Sequence, residues 1–394
     1  MDVFEANIKK IYAYSFFMGL HFVGGVLVPF FTQWGQISFM QIMILQSWFM
    51  FCTFLFEIPT GTIADYIGRK HSLILGGIIN VSAVLVYTSI PNFFIFMIGE
   101  SLWALAQALI SGANEALIYD TLKELKEENR SKIIFGRLQS ANIIGLMISA
   151  PIGSFVAFYF GVRIPVLIMS VPFFIAFILA FTFKEPEIKE DKEERKRSYF
   201  HILKIGLKQF INNRILITLA IDMIVIGTVS FMMVWLYQPF LMAYKVDIAF
   251  FGIFHAIFLI IQVIIMNNFE RLEKFFRSKK GYIFASSIIT GIGFLLTGLI
   301  IFLPIAIIGM ILAIGFGMTR KPLLINYMNK HIQSSERAIN LSTVNMFQTF
   351  VCVIIYPFTG LLAEWSLNIT CIILGMIAIV FAFISRVEEN HLID

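Results

Sequence analysis

The chain has 394 residues, of which 58% are hydrophobic and only 14% are charged, and 43 are phenylalanine. Soluble globular domains contain about 45–50% apolar and about 25% charged residues. The composition therefore excludes an ordinary soluble domain and predicts an integral membrane protein. The net charge of +5 does not indicate nucleic-acid binding, because the basic residues are spread over several polar segments.

The apolar segments divide into twelve predicted transmembrane helices. A hydrocarbon core about 30 Å thick needs roughly 20 apolar residues per helix, and charged residues, Pro, Gly and Asn mark the boundaries. No small-residue cleavage site follows the opening MDVFEANIKK, so the first segment is predicted to be a helix and not a removable signal. The predicted spans are 8–31, 38–64, 72–89, 93–119, 132–159, 163–183, 214–243, 248–269, 281–301, 304–328, 338–363 and 367–385.

Basic residues sort by side, as they do in membrane proteins that follow the positive-inside rule. Of the 30 Lys and Arg residues, only Arg163 and Lys245 fall in the odd-numbered loops between these spans. The others lie on the opposite side or near it. The sorting predicts that both termini are cytoplasmic and that the protein resides in a cell (inner or plasma) membrane.

A charged stretch separates two sets of six spans. We predict an N-terminal half (1–183), a cytoplasmic linker (184–213) with a short surface helix from Tyr199 to Asn212, and a C-terminal half (214–394). A weak internal repeat supports the division. Aligning the ends of the fourth and tenth spans places Leu117 on Leu323 and Asp120 on Asn326.

The loop after the second span carries the most specific motif, Gly61-x-x-x-Asp65-x-x-Gly68-Arg69-Lys70. It resembles the signature loop of the major facilitator superfamily, with Tyr66 standing where a basic residue is usual. The resemblance implies an all-α membrane protein with two pseudo-symmetric six-helix halves and a substrate site between them. It also implies a transporter and not an enzyme.

The resemblance assigns roles in a cytoplasmic gate. Asp65 would face the N-terminal end of the eleventh helix, where unpaired amides favour an anion, and Arg69 would pair with Asp120. Gly61 would allow close helix approach, and Gly68 would permit a tight turn.

Two further residues near this gate have alternative interpretations. Lys70 is either part of the gate or a positive-inside anchor. Glu57 either takes part in the gate or carries a proton.

Polar residues within the spans are candidates for the transport path, because ionisable groups in hydrocarbon are costly and usually face a cavity. In this family helices one, four, seven and ten line the cavity. His21 lies on helix one, and helix four carries a polar stripe at helical spacing. The stripe consists of Glu100, Trp103, Gln107, Ser111 and Asn114.

Five charged residues in the spans are candidates for coupling and binding. Asp222, Glu100 and Glu115 are the predicted proton-coupling groups. Arg320 and Lys321 are predicted to contribute to the substrate cavity, with a base from helix ten facing Glu115. The alternative for Arg320 and Lys321 is that they snorkel to the cytoplasmic surface.

The predicted function is export of amphipathic small molecules, including cationic ones, by proton antiport. The stretch GLMISAPIG in the fifth span resembles a degraded form of a Gly-Pro-rich motif of drug exporters, although Glu100 stands on helix four where many exporters have an arginine. The alternative is an uptake permease for a sugar, organic acid or amino acid.

Other classes of function find no support in the sequence. There is no His-Glu-x-x-His motif, nucleophile turn or Walker-type loop. The three cysteines are far apart and lack metal-ligand spacing. We therefore expect no cofactor, no nucleic-acid partner and a monomer whose partners are substrate, protons and lipid.

Overall fold

The computed structural model describes residues 3–186, 210–333 and 337–393, and these residues form helices and no strands. The predicted all-α fold is confirmed. The helices before residue 187 are α1 (Val3–Met18), α2 (Leu27–Pro29), α3 (Phe39–Ile67), α4 (Arg69–Tyr87), α5 (Phe93–Glu124), α6 (Ser131–Phe160), α7 (Arg163–Ile168) and α8 (Ser170–Phe181). Those after residue 209 are α9 (Arg214–Ala243), α10 (Phe251–Met266), α11 (Phe269–Phe275), α12 (Lys279–Leu299), α13 (Leu303–Met318), α14 (Arg320–Lys330), α15 (Arg337–Trp365) and α16 (Leu367–Ile384).

The chain divides into two compact units. The first comprises Met1–Lys192 and Val246–Ala256, and the second comprises Glu193–Lys245 and Ile257–Asp394. The division differs from the predicted halves in the segment Val246–Ala256, which contains the start of α10. Gly252 explains why this segment belongs to the first unit. The Gly252 amide donates a hydrogen bond to the hydroxyl of Ser154 in α6 at 2.7 Å. A Cβ atom on Gly252 would lie only 2.0 Å from the Ala150 carbonyl oxygen.

In the described part of the chain, eleven segments are long and apolar enough to cross a membrane, where twelve were predicted. The difference is the predicted span 8–31. The helix α1 ends at Met18, and helical structure resumes only at Leu27. In between, the amide of His21 donates to the Gly19 carbonyl at 2.8 Å and that of Gly24 to the His21 carbonyl at 3.1 Å. Neither contact is the i to i−4 bond of an α-helix.

The predicted span 8–31, which comprises most of α1 and the break after it, packs closely against α6. This contact explains the run of small residues in α6. A Cβ atom on Gly153 would lie 1.7 Å from the Phe22 carbonyl oxygen, and one on Gly145 would lie 2.7 Å from the Phe16 carbonyl oxygen. These distances leave room only for glycine. The stretch that resembled an exporter motif is therefore a backbone contact surface within the first unit.

The predicted tenth span is also interrupted, at Thr319 between α13 and α14. Pro322 explains the break, because proline has no N–H to donate to the Met318 carbonyl four residues earlier. The interruption lies directly before Arg320 and Lys321, and it begins a new helix with those two residues in its first turn.

The predicted linker is described only at its two ends, residues 184–186 and 210–213. Most of the predicted surface helix from Tyr199 to Asn212 lies outside the described residues. At the far end, the Asn213 side chain accepts hydrogen bonds from the amides of Ile215 and Leu216, each at 3.1 Å, and caps α9.

Candidate functional site

The predicted gate loop joins α3 to α4 through Gly68, whose φ of +96° is a conformation that favours glycine. Arg69 forms a salt bridge with Asp120 of α5, whose carboxylate is almost fully buried. The Glu185 carboxylate accepts a hydrogen bond from the backbone amide of Arg69 at 2.5 Å and so caps the N-terminal end of α4. Glu185 was not predicted for this role, because a charged residue in a linker gives no signal of such a contact.

The other gate residues are placed less specifically. The surroundings of Gly61 and the side chain of Asp65 lie outside the described part, so the predicted close helix approach at Gly61 and the predicted contact of Asp65 stay predictions. Glu57 is exposed and, like the half-buried Lys70 side chain, has no charged partner among the described residues.

A buried ion pair lies within the second unit. Asp222 of α9 and Arg320 of α14 form a salt bridge, with side chains 1% and 0% exposed. The same guanidinium donates to the Ser286 hydroxyl and to the Ile283 carbonyl of α12. The second carboxylate oxygen of Asp222 accepts a hydrogen bond from the Ser385 hydroxyl at 2.7 Å.

This pair changes the interpretation of both of its members. Arg320 was predicted either to line the substrate cavity or to snorkel to the surface, but the structure places it in full burial against a carboxylate. Asp222 was predicted to exchange protons, but it is held by a cation and a hydroxyl. A buried pair with satisfied hydrogen bonds fits a structural role.

Lys321 follows Arg320 and points to different neighbours. Its ammonium donates to the Gln348 amide oxygen of α15 at 2.9 Å. Cys352, one turn further along α15, lies 3.9 Å from the Thr228 hydroxyl of α9. Lys321 and Gln348 are partly exposed, whereas Cys352 and Thr228 are buried. Gln348 and Thr228 were not predicted, because single amides and hydroxyls in apolar spans are common packing residues.

Glu100 forms a buried polar contact in the first unit. It is 4% exposed and accepts a hydrogen bond from the Gln46 amide of α3 at 2.7 Å. It also hydrogen-bonds the Tyr87 hydroxyl at the end of α4. No Lys, Arg or His is paired with it in the described part of the chain. The sequence did not reveal Gln46 or Tyr87 as its partners.

An aromatic cluster adjoins Glu100. Trp103, one turn along α5, stacks with His21 at 5.8 Å between ring centroids, and Phe173 of α8 contacts His21 edge-on at 5.4 Å. Tyr87 meets Trp103 at 5.8 Å. His21 and Trp103 are partly exposed, whereas Tyr87 and Phe173 are buried. The structure therefore brings two predicted cavity residues, His21 and Trp103, next to a predicted proton site.

The remaining polar residues of α5 lie further along the helix. Gln107 and Glu115 are exposed, and Asn114 is half-buried with its amide oxygen unpaired in the described structure. The polar stripe is thus buried at Glu100 and more exposed from Gln107 onward. Among the described residues, no group of three or more His, Cys, Asp and Glu side chains could hold a metal ion.

Comparisons with known proteins agree on the architecture. The chain is 22% identical over 308 residues to the uncharacterized MFS-type transporter YxaM of Bacillus subtilis (strain 168), covering 76% of this chain and 75% of that protein. The crystal structure of the nucleoside transporter NupG matches with a TM-score of 0.78 and 13% identity, covering 98% of both chains. That of a D-xylose-proton symporter matches with a TM-score of 0.72 and 11% identity, covering 97% of both.

A family profile decides the assignment. The profile of the Major Facilitator Superfamily matches residues 11–355. This match covers most of the chain and agrees with the signature loop between α3 and α4. The protein is therefore a multi-pass membrane transporter that belongs to the Major Facilitator Superfamily.

Proposed function

We propose that the protein is a secondary transporter that exports amphipathic small molecules by proton antiport, and that Glu100 carries the proton. The observation behind this proposal is the environment of Glu100. Its carboxyl group is buried in a membrane helix and hydrogen-bonded to two neutral groups. No cation is paired with it among the described residues. An ionisable group in such a place marks a candidate proton relay.

The neighbours of Glu100 support a link between the proton and a substrate. Trp103 and His21 form a partly exposed aromatic surface one helical turn away. A flat or apolar substrate that packs on these rings would lie beside the carboxyl group. Substrate binding and proton binding would then compete, which is the requirement for antiport.

The proposal narrows the three predicted proton carriers to one. Asp222 is engaged by Arg320, and removing its charge would leave a buried cation. Glu115 is exposed, so it lacks the burial that distinguishes Glu100. Glu100 alone of the three combines burial with neutral partners in the described structure.

Uptake by proton symport is the second candidate function. The D-xylose-proton symporter shares this fold, but the identity of 11% supports no transfer of substrate. The predicted use of Arg320 as a metabolite ligand loses support, because its guanidinium already binds Asp222, Ser286 and Ile283. We retain export, with both termini in the cytoplasm, as the proposed mode.

Proteoliposomes with a trapped pH-sensitive dye test the proposal. We would challenge the wild type, Glu100→Gln and the control Glu115→Gln with panels of amphiphiles and metabolites, with and without an imposed proton gradient. Proton flux opposite to substrate is expected for the wild type and Glu115→Gln. Glu100→Gln should lose gradient-driven transport and retain substrate exchange.

Two outcomes would count against the proposal. Full gradient-driven transport by Glu100→Gln would remove Glu100 from coupling. Proton movement in the same direction as substrate would replace export with the uptake alternative.

A further inference from the structure

Lys321 of the second unit is a cation that has no acidic partner among the described residues. Lys321 donates to the neutral amide oxygen of Gln348, and none of the described carboxylates forms a salt bridge with it. Its neighbour Arg320 differs, because the charge of Arg320 is balanced by Asp222. A positive charge in a membrane helix is costly. The Gln348 amide does not neutralise the charge of Lys321, so the position of this lysine needs a further reason.

The position of Gln348 on α15 identifies the side that Lys321 faces. Phe350, Ile354 and Phe358 are 62%, 45% and 62% exposed and form an exposed apolar stripe on this helix, as expected of a face turned toward lipid. Gln348 and Cys352 each precede a member of that stripe by two residues, which is a rotation of about 200°. The Gln348 amide, and the Lys321 ammonium that donates to it, therefore lie on the side of α15 opposite this apolar stripe.

An apolar surface accompanies the charge. Phe231 of α9 is partly exposed and is stacked on the buried Tyr356 of α15, with ring centroids 6.3 Å apart and planes 17° apart. Gly227, one turn before Phe231, is close to the Gln348 amide nitrogen, and a Cβ atom there would meet only that atom, at 3.7 Å. The absence of a side chain at Gly227 thus leaves open space beside Gln348.

We propose that Lys321 and Gln348 bind an anionic group, such as a carboxylate or sulfonate, of an amphipathic substrate whose apolar part packs on Phe231. Ammonium and amide N–H groups can both donate to such an anion, and a charged hydrogen bond is about twice as strong as a neutral one. The proposal rests on the proposed transport function. It selects anions from the wider class of amphiphiles.

Binding in lipid nanodiscs tests this assignment without a proton gradient. The probes are 2-naphthalenesulfonate and a naphthyl-trimethylammonium cation of matched size, measured by calorimetry against empty nanodiscs. The variants are Lys321→Gln, Lys321→Arg and the control Lys330→Gln, which removes the same charge from the exposed end of the same helix.

The wild type should bind the anion and prefer it to the cation. Lys321→Gln should weaken anion binding by roughly tenfold to a hundredfold, as expected for loss of a hydrogen bond from a charged group. Lys330→Gln should be unchanged, and Lys321→Arg should retain most of the affinity. If Lys321→Gln does not fold, Gln348→Leu provides the test, with weaker anion binding and unchanged cation binding expected.

Three results would overturn the assignment: equal anion affinity in the wild type and Lys321→Gln, tighter binding of the cation, or no anion binding to the folded wild type. These results are separate from those for Glu100. Loss of anion binding in Lys321→Gln together with normal coupling in Glu100→Gln would refute only the proposed proton carrier. The reverse pattern would refute only the anion site.

Discussion

Asp222 and Glu100 are both carboxyl groups buried within membrane helices, but their surroundings differ. Asp222 in the second unit is bound by the guanidinium of Arg320 and the hydroxyl of Ser385. Glu100 in the first unit is bound by the amide of Gln46 and the hydroxyl of Tyr87. The first arrangement requires a fixed negative charge, whereas the second can hold either a charged or a neutral carboxyl group.

The comparison indicates that burial alone does not identify a proton carrier in a membrane protein. The partners decide whether a carboxyl group can change its charge at a tolerable cost. Breaking a buried ion pair leaves an isolated charge, while protonating a carboxyl group among neutral donors and acceptors leaves none. Three substitutions examine this distinction, beginning with the one of largest expected effect.

Asp222→Asn should destabilise the protein by about 3–5 kcal/mol, because it leaves Arg320 buried without a counter-charge. Thermal unfolding in detergent measures the effect. The double variant Asp222→Asn/Arg320→Met removes the orphaned charge and should recover a large part of the loss. Unchanged stability in Asp222→Asn would contradict a structural role for the pair.

Arg69→Gln should have an intermediate effect of about 1–3 kcal/mol, because Asp120 is 5% exposed and would lose its charged partner. The matched control is Arg130→Gln, which breaks an exposed pair with Glu127 and should change stability by about 1 kcal/mol or less. Unfolding curves of the two variants provide the comparison. Equal effects would mean that burial of Asp120 does not strengthen its pair.

Glu100→Gln should have the smallest effect on stability, about 1 kcal/mol or less, because an amide can still accept from Gln46 and bond with Tyr87. Glu100→Ala should cost about 1–3 kcal/mol, since it leaves buried polar partners unsatisfied. Thermal unfolding separates the two. A large loss in Glu100→Gln would indicate that a fixed charge is needed there, as at Asp222.

The sequence was sufficient to predict the fold class, the family and eleven of the helical spans, because length and hydropathy dominate helix formation in membranes. It failed at the span 8–31. Gly19, Gly24 and Gly25 lie within an apolar run that reads as one continuous helix. Each contacts α6, which is more than a hundred residues away in sequence, so the break in the helix could not be predicted locally. The division into a 1–183 half and a 214–394 half stays a prediction.

The candidate sites were predictable as a set of polar residues but not as pairs. Arg320 and Lys321 are adjacent in sequence, yet they contact different helices. Arg320 binds residues of α9 and α12, whereas Lys321 donates a hydrogen bond to Gln348 of α15. The helix break caused by Pro322 and the packing of distant helices decide this difference. Gln46, Tyr87 and Glu185 went unnoticed for the same reason, since each acts through a contact that local sequence does not encode.

Infrared difference spectroscopy of the purified protein tests the central claim most directly, because the carbonyl band of a protonated carboxyl group is distinct from that of a carboxylate. Spectra of acidic minus alkaline samples in lipid would be compared among wild type, Glu100→Gln and Glu115→Gln. We predict a buried carboxyl band in the wild type and Glu115→Gln that disappears in Glu100→Gln and shifts when substrate is added. The same band in Glu100→Gln would show that another group exchanges the proton and would contradict the assignment.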